Sequence, residues 1–489
     1  MKIEDIIPSD EFTVKKHGGI DVSKCVSNFR CADRSSLLFL LPGITFDTYT
    51  IIPKYLKAEP AAIVTEKISE FPKTKIPLIE VKNARRAFAY ASSAISKTDY
   101  SKLKFIGVTG TNGKTSTATM IYRILKSYGR KCGFIGTGKI EFSEKRYTDD
   151  KYSMTSPDPD VLYPTIREMQ LDGCEIIVME ASSHALFLEK LAPIVFEIGI
   201  FTGLSHDHLD FHKDINSYFT AKERLIKSSK RAIINYDDPY GKILYEKYRN
   251  RATGVGVIWQ SDVSAREVEN KGLSGLNYIY RTKEFSTKVA LPLPGLYNVY
   301  NSMLAFDAAV KMNVTPKCIK ESLAAMEPIE GRCECIHADI TVIVDYAHTP
   351  KALESILKTA SHAKPCGCKI TLVFGCGGER DTEKRPKMAA IAEKYADKII
   401  VTNDNPRSEA EDKIINDILS GFTGSRHGVI TDRSVAITHA VKSASAKDIV
   451  IIAGKGHEKY IYDKSGYRPF DEKSIIYSAL ELRKSEVIK

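Results

Sequence analysis

Six consecutive residues, Gly110-Thr111-Asn112-Gly113-Lys114-Thr115, combine the residue types that bind nucleotide phosphates. An apolar run at 103–108 precedes them and a helix-compatible run at 116–127 follows, so a buried strand, a turn and a helix N-terminus are expected in succession. Glycines let backbone N–H groups point at phosphate oxygens, and the helix N-terminus adds positive partial charge. Lys114 can reach the terminal phosphates, and the Thr115 hydroxyl can hold Mg²⁺. The segment therefore predicts an ATP site.

The spacing of this loop departs from the general phosphate-loop pattern. Val108 stands where the first glycine is usual, and Gly107 is displaced by one position. A chance Gly-Lys-Thr at a helix start is the alternative interpretation, and the strand and helix on either side favour phosphate binding.

Polar side chains also follow two other predicted strands. The run at 175–179 leads into Glu180, and the run at 197–201 leads into a segment rich in histidine and aspartate at 202–212. Ligands of open α/β sheets bind at the carboxyl ends of the strands, so Glu180 can complete a Mg²⁺ shell there. The histidine and aspartate side chains can bind metal or can form a solvated loop.

These segments require a modular α/β chain to position them. A length of 489 residues predicts about three domains. We expect a small N-terminal α/β domain at 1–100, a central phosphate-loop ATPase domain with a doubly wound, mostly parallel sheet at 101–331, and a Rossmann-like domain at 332–489. The apolar runs that predict strands are 36–41, 61–64, 76–81, 103–108, 175–179, 197–201, 232–235, 341–344, 369–374, 398–401 and 449–452, and 84–95 predicts a helix.

Composition narrows the class of protein. Hydrophobic residues make up 43% and charged residues 27%, which is typical of a folded globular chain. No leader-like start and no run long enough to cross a bilayer is visible, so a cytoplasmic protein is expected. The net charge of +10 comes without a basic run interleaved with aromatic residues, and a polyanionic small molecule explains it as well as nucleic acid does.

Several motifs occur together in the order of a known family. They are GVTGTNGKT at 107–115, MEASSHAL at 179–186, FTGLSHDHLDFH at 201–212, LYNVYN at 296–301, VDYAHTP at 344–350 and AGKGHE at 453–458. From about residue 83 to the C-terminus the chain resembles the Mur ligase family, and within it the members that extend UDP-N-acetylmuramoyl-dipeptide. The resemblance implies peptidoglycan precursor synthesis by a monomer that uses small-molecule substrates and neither nucleic acid nor a membrane.

The resemblance also implies roles for individual residues. ATP would contact the phosphate loop and the positions Asn301, Arg332 and Asp345. Lys114, Glu180, His208 and Lys222 would be catalytic. Thr115 and Glu180 would hold one Mg²⁺, and His208 a second Mg²⁺ that a CO₂-derived carbamate on Lys222 organises. Without the family, an ordinary exposed helical lysine is the preferred interpretation of Lys222. A substrate carboxylate would attack the γ-phosphate to give an acyl phosphate, and an amine would then expel phosphate.

The two remaining substrates are assigned in the same way. The residues that match the family's contacts to the UDP-muramoyl-dipeptide are Thr155, Ser156, Ser183 and Lys190. The residues that match its contacts to meso-diaminopimelate are Arg380, Asp404, Asn405, Arg407, Gly454 and Glu458. The DNPR segment at 404–407 accompanies diaminopimelate in the family. The Arg407 guanidinium can form a bidentate pair with the distal carboxylate of diaminopimelate. Lysine as a substrate would present only an ammonium to this guanidinium, which is a repulsive mismatch. Glu458 can bind the distal amine.

Departures from the family pattern keep alternatives open. Lys190 replaces an arginine, Ser408–Glu411 lacks a proline, and Asn28-Phe29-Arg30 and Asp47-Thr48-Tyr49 differ from the usual uridine-binding segments. A lysine-adding relative and a folylpolyglutamate-synthetase-like enzyme are the alternatives among ligases. A phosphate-loop NTPase coupled to motion or nucleic acid is the alternative from another class.

Overall fold

The computed structural model describes residues 1–12, 20–44, 46–148 and 154–487. Its chain forms two compact units, one made of Met1–Thr109, Gly129–Gly199 and Ala221–Arg231, the other of Gly110–Tyr128, Ile200–Thr220 and Ala232–Lys489. We call them the first and the second unit. No helix in the described part of the chain is long and apolar enough to span a bilayer.

The first unit begins with a parallel four-stranded sheet, in which the strands lie in chain order. The elements are β1 (Lys24–Val26), β2 (Ser36–Phe39), α1 (Ile52–Lys57), β3 (Ala62–Thr65), β4 (Leu78–Glu80) and α2 (Ala84–Ile95). Every residue of β2 and β3 is buried, as expected for a parallel sheet covered on both faces. The Asn83 side chain caps α2 by accepting from the Arg86 N–H, and α2 has the predicted bounds.

The first unit also carries the strand that leads to the phosphate loop. The next elements are β5 (Lys104–Thr109), α3 (Lys114–Ser127), β6 (Cys132–Gly136), β7 (Lys139–Phe142), β8 (Lys145–Tyr147), α4 (Pro159–Leu171), β9 (Ile176–Glu180), α5 (Ser183–Phe187) and β10 (Phe196–Phe201). The strand β9 lies between β5 and β6 and is parallel to both, whereas β6, β7 and β8 pair antiparallel. Of these elements, α3 and the end of β10 belong to the second unit.

The second unit continues with a sheet that changes direction. Its elements are α6 (Leu209–His212), α7 (Ile215–Lys227), β11 (Ser229–Asn235), α8 (Pro239–Lys247), β12 (Ala252–Gly256), β13 (Val263–Asn270), β14 (Leu276–Arg281), β15 (Ser286–Leu291), α9 (Tyr297–Lys311) and α10 (Pro316–Ala324). The pairs β11–β12 and β12–β13 are parallel, and β13–β14 and β14–β15 are antiparallel. The unit boundary falls within both α7 and β11.

The C-terminal part of the second unit is a six-stranded sheet in the order β16-β17-β21-β18-β19-β20, antiparallel only at β16. Its elements are β16 (Glu334–His337), β17 (Thr341–Asp345), α11 (Pro350–Ala363), β18 (Ile370–Phe374), α12 (Lys384–Tyr395), β19 (Lys398–Val401), α13 (Glu411–Leu419), β20 (His427–Val429), α14 (Arg433–Ser443), β21 (Ile449–Ala453), β22 (Tyr460–Asp463), β23 (Gly466–Pro469) and α15 (Glu472–Val487). Separate apolar cores cover its two faces.

The predicted α/β class and the predicted strand runs are confirmed, each within three residues at either end. The antiparallel strands β6–β8 and β13–β15 and the hairpin β22–β23 were not predicted. The domain boundaries placed at 100/101 and 331/332 stay a prediction.

Candidate active site

The phosphate loop is held in place by the segment that follows β10. The Thr111 N–H donates to the Gly203 carbonyl at 2.9 Å, and the Thr202 hydroxyl donates to the Asn112 carbonyl at 2.5 Å. Gly110 has φ +149°, and a Cβ there would collide with the Thr202 hydroxyl, so this close approach requires glycine. Helix α3 begins at Lys114, two residues before the predicted start. The loop therefore presents a fixed turn at a helix N-terminus, the geometry that binds phosphate.

Lys114 folds over this loop. Its Nζ donates to the carbonyls of Gly110 at 3.0 Å and Thr111 at 2.9 Å. The ammonium is therefore held against the backbone carbonyls of the loop, and its predicted role towards the terminal phosphates stays a prediction.

A cleft of about 390 Å³ opens beside the loop within the second unit. Its volume falls in the range of small-molecule sites. Among the residues that line it are six of the predicted ATP contacts: Thr111, Asn112, Gly113, Asn301, Arg332 and Asp345. The structure therefore brings the phosphate loop and the predicted base and ribose contacts to one cleft.

Arg332 and Asp345 lie on the wall of this cleft. Arg332 donates to the Thr115 hydroxyl at 3.0 Å and lies over the Tyr346 ring at 4.5 Å. Asp345 accepts from the Cys333 N–H at 2.6 Å. Burial raises the pKa of the Asp345 carboxyl, and the Arg332 guanidinium offsets part of that rise. A carboxylate at the end of β17 is suited to accept from ribose hydroxyls.

Asp237 is a cleft residue that the sequence analysis missed. Its carboxylate accepts from three successive N–H groups, of Val257 at 2.6 Å, Ile258 at 2.8 Å and Trp259 at 3.0 Å, and from the Tyr300 hydroxyl at 2.8 Å. The loop it holds presents Ile258, 71% exposed, to the cleft. An aspartate two residues after a strand is common in turns, so no sequence signal marked this one.

His208, predicted to bind Mg²⁺, lies beside a buried carboxylate. Its Nε2 is 3.3 Å from Asp207 Oδ2, which is also 3.6 Å from His348 Nε2, and Lys384 Nζ is 3.7 Å from Asp207 Oδ1. Burial raises the pKa of the Asp207 carboxyl, but these three neighbours outweigh it and hold that pKa well below its usual range. Asp207 therefore lies within ion-pair distance of the His208 ring, and a carboxylate partner is common behind metal-binding histidines.

The residues predicted to bind the amino acid also share one region of the second unit. Asn405 donates to Glu458 at 2.8 Å, and Arg407 donates to the Gly378 carbonyl at 2.6 Å. Burial lowers the pKa of Arg407, and the neighbouring Arg380 guanidinium lowers it further. An anion bound beside this pair of guanidinium groups would relieve their repulsion.

The remaining predicted residues lie in the first unit. Glu180, at the end of β9, is fully buried and accepts from the Thr137 N–H at 2.9 Å and from its hydroxyl at 3.1 Å. The Thr137 hydroxyl is 3.0 Å from that of Thr155, and the Ser156 hydroxyl donates to the Glu180 carbonyl at 2.9 Å. Ser183 begins α5, where the neighbouring Ser182 caps the helix.

Two lysines of the first unit differ in their surroundings. Lys190 forms an ion pair with Asp158 at 2.6 Å, so the residue that replaces the family's arginine is already bound to a carboxylate. Lys222, on α7, is only 1% exposed. The interpretation of Lys222 as an exposed helical lysine is therefore wrong.

No group of three or more histidine, cysteine, aspartate or glutamate side chains suited to a metal ion occurs within residues 1–12, 20–44, 46–148 and 154–487. The predicted ligands are Thr115 and His208 in the second unit and Glu180 and Lys222 in the first unit. The residues of either unit alone would hold Mg²⁺ only with additional oxygen ligands, such as phosphate oxygens, which this cation accepts readily.

The phosphate loop lies between a strand and a helix N-terminus, and beside it is a cleft lined by a carboxylate suited to bind ribose. This arrangement defines a nucleotide-binding α/β protein. The Mur ligase middle domain matches residues 108–309, and the domain described as "Mur ligase, glutamate ligase domain" matches residues 331–456. The UDP-N-acetylmuramoyl-L-alanyl-D-glutamate--2,6-diaminopimelate ligase of Clostridioides difficile is 37% identical, over 98% of this chain and 99% of that protein. The chain belongs to the Mur ligase family.

Solved structures agree with this assignment. A structure of a UDP-N-acetylmuramoyl-L-alanyl-D-glutamate--2,6-diaminopimelate ligase, 28% identical, covers 95% of each chain with a TM-score of 0.65. The MurF ligase of Thermotoga maritima in complex with ADP is 16% identical, covers 95% of this chain and 98% of that chain, and has a TM-score of 0.62. The second likeness shows the fold alone, and both confirm the predicted three-part α/β architecture.

Proposed function

We propose that the protein is an ATP-dependent ligase that joins meso-diaminopimelate to UDP-N-acetylmuramoyl-L-alanyl-D-glutamate in peptidoglycan precursor synthesis. The observation that carries the proposal is the full-length likeness, at 37% identity, to a ligase named for this reaction. Burial, and after it the neighbouring Arg380 guanidinium, lowers the pKa of Arg407. The nearness of these two arginines supports a substrate that brings a carboxylate to this place.

The reaction proceeds in two displacements. An oxygen of the glutamate carboxylate attacks the γ-phosphorus of ATP, and ADP leaves, so that an acyl phosphate forms. The amine nitrogen of diaminopimelate then attacks the acyl carbon, loses a proton and expels inorganic phosphate. Lys114 and the N–H groups of 110–115 bind the phosphates and offset negative charge as it moves to the leaving oxygen.

Mg²⁺, when bound, offsets phosphate charge. In the second unit Thr115 and His208 are the residues proposed to hold it, and in the first unit Glu180 and a carbamate on Lys222. The carbamate is proposed because Lys222 matches the lysine that is carbamylated in the family, and a carbamylated lysine has a carboxylate-like head group. CO₂ is therefore proposed as the source of this group.

The dipeptide and ribose contacts are proposed on the same basis. Thr155, Ser156, Ser183 and Lys190 would bind the UDP-muramoyl-dipeptide, and Asn301, Arg332 and Asp345 the adenosine. We further propose a cytoplasmic monomer that acts on small molecules and binds no nucleic acid, since ATP and a nucleotide sugar are its substrates.

Phosphate release from ATP by the purified protein tests the function. Turnover should require both UDP-N-acetylmuramoyl-L-alanyl-D-glutamate and meso-diaminopimelate, and L-lysine should replace the latter poorly. Equal turnover with either substrate omitted would refute the ligase, and a preference for L-lysine would refute the amino acid. Stimulation by DNA or RNA would favour a motor-type NTPase instead.

A matched pair of variants tests the carbamate. Lys222→Ala should lose activity and regain part of it with added short carboxylates, whereas Lys227→Ala, at the exposed end of the same helix, should behave like the wild type. Absence of rescue together with full activity in CO₂-depleted buffer would argue against the carbamate.

A further inference from the structure

Lys455 is a lysine whose side chain is completely buried within the second unit. Its relative exposure is 0%, although lysine is seldom buried unless its charge is paired. It lies between Gly454, with φ +120°, and Gly456, with φ +56°. A Cβ at Gly454 would approach Asp404 Oδ2 to 2.5 Å, so glycine there lets the chain pass close to the carboxylate and direct Lys455 inward.

The ammonium of Lys455 contacts three of the residues predicted to bind the amino acid. Its Nζ donates to Asn405 Oδ1 at 2.7 Å and lies 3.7 Å from Asp404 Oδ1 and 3.5 Å from Glu458 Oε2. It also lies 5.7 Å from the centre of the Tyr460 ring. The buried charge is therefore matched by two carboxylates, an amide oxygen and an aromatic face.

These contacts fix the orientation of Asn405. Its Oδ1 accepts from both Lys455 and the Tyr462 N–H, the latter at 3.0 Å. A donor at that oxygen forces the amide nitrogen to the other side, where it donates to Glu458 Oε2 at 2.8 Å. The other Glu458 oxygen accepts from the Tyr346 hydroxyl at 3.2 Å. Lys455, together with the Tyr462 N–H and the Tyr346 hydroxyl, thus helps to hold the Glu458 carboxylate, both through Asn405 and by its own contact with Glu458.

The charges around this group support the same role. Burial raises the pKa of the Asp404 carboxyl, but Lys455, and after it Arg433, lower that pKa below its usual value. Arg433 is itself paired with Glu472 at 2.5 Å. Without Lys455, the Asp404 and Glu458 carboxylates would lose the cation that lies between them, and Arg433 would remain as the main cation that offsets the charge of Asp404.

We propose that Lys455 is a positioning residue for amino-acid selectivity: it orients Asn405 and Glu458 so that the Glu458 carboxylate receives the distal ammonium of the amino acid. The inference rests on the proposed function and deepens it. Arg407 would bind the distal carboxylate of the amino acid, and Glu458, held in place by Lys455, would bind its distal amine. A substrate that has both groups is then favoured over one that has either alone.

Lys455→Met tests this inference, because it keeps the length of the side chain and removes the charge. The readouts are kcat and KM for meso-diaminopimelate, KM for ATP, and the preference for diaminopimelate over 2-aminopimelate, which has the distal carboxylate but lacks the distal amine. Lys459→Met, exposed four residues further on, is the control. Lys455→Gln, which restores a donor to Asn405 without the charge, is the second variant.

In Lys455→Met we expect kcat/KM for diaminopimelate, and the preference over 2-aminopimelate, to fall roughly 10- to 100-fold, the effect of losing a charge-assisted hydrogen bond. KM for ATP should change less than about twofold, and Lys455→Gln should recover part of the preference. An unchanged preference, or a parallel rise in KM for ATP, would overturn the proposal. So would unfolding of both variants by circular dichroism, because Lys455 would then serve the fold. Wild-type protein without diaminopimelate-dependent turnover would instead overturn the proposed function.

Discussion

Replacement of Arg407 by alanine should weaken the use of diaminopimelate far more than the binding of ATP. Arg407 Nη1 donates to the Gly378 carbonyl at 2.6 Å, which fixes one edge of the guanidinium and leaves its other N–H groups for a carboxylate. Loss of charge-assisted hydrogen bonds to a ligand costs about 1.5–3 kcal/mol, so KM for diaminopimelate should rise roughly 10- to 150-fold.

The backbone at this position does not confound the substitution. Arg407 has φ +54°, a left-handed conformation that is unfavourable for any residue with a Cβ. Alanine keeps this cost unchanged, whereas glycine would remove it and stabilise the fold at the same time. Arg407→Ala therefore isolates the side chain.

Steady-state kinetics with each substrate varied in turn measure the effect. KM for ATP should stay within about twofold, and use of L-lysine should stay equal or improve, because its distal ammonium no longer meets a guanidinium. Arg249→Ala, at a side chain 72% exposed, is the control. An unchanged KM for diaminopimelate, or an equal loss with both amino acids, would refute the assignment of this pocket.

Two further predictions concern stability and the nucleotide. Arg385, fully buried, forms a two-pronged pair with Glu409 at 2.9 and 2.7 Å, which lowers the pKa of Glu409 from 4.5 to about 2. Because the pKa of Glu409 is lower in the folded state, the pair adds at most about 3 kcal/mol to the free energy of unfolding. This stabilisation is present above about pH 4.5 and is lost as the pH falls toward 2. Glu409→Gln should lower the urea midpoint at pH 7 and flatten this acid dependence, and parallel curves for variant and wild type would contradict it. Trp259 is the single tryptophan, so its fluorescence should change when ADP binds, and Asp237→Asn, which removes acceptors from the 257–259 loop, should raise KM for ATP roughly tenfold. If ADP leaves the Trp259 fluorescence unchanged and Asp237→Asn leaves KM for ATP unchanged, the 257–259 loop does not contribute to nucleotide binding.

Buried apolar runs made much of the fold predictable. The strands at Lys398–Val401 and Ile449–Ala453 are short, continuous and apolar because both faces of their sheet are covered. The strands Leu276–Arg281 and Ser286–Leu291 have only one face buried and alternate with polar residues, so they lack that signal. Their pairing is set by contacts between neighbouring strands, which short-range patterns describe weakly.

The candidate site was predictable where a motif has a fixed backbone geometry. The phosphate loop is an example, since its glycines and the helix after it follow from local sequence. The burial of Lys222 and Lys455 was not, because a lysine in a helix or loop has the same local signal whether it faces water or a carboxylate. Asp237 was missed for the same reason: its four donors come from residues 20 to 63 positions further along the chain.

The division of the chain into two units has a consequence for its synthesis. The chain passes from one unit to the other after Thr109, Tyr128, Gly199, Thr220 and Arg231. Neither unit is therefore a continuous segment that a ribosome could release ready to fold. The first unit lacks its last piece until residue 231 has been translated, roughly 10 to 50 seconds after initiation at ordinary elongation rates. Until residue 180 has been translated, the strand that ends at Thr109 lacks β9, the strand with which it pairs.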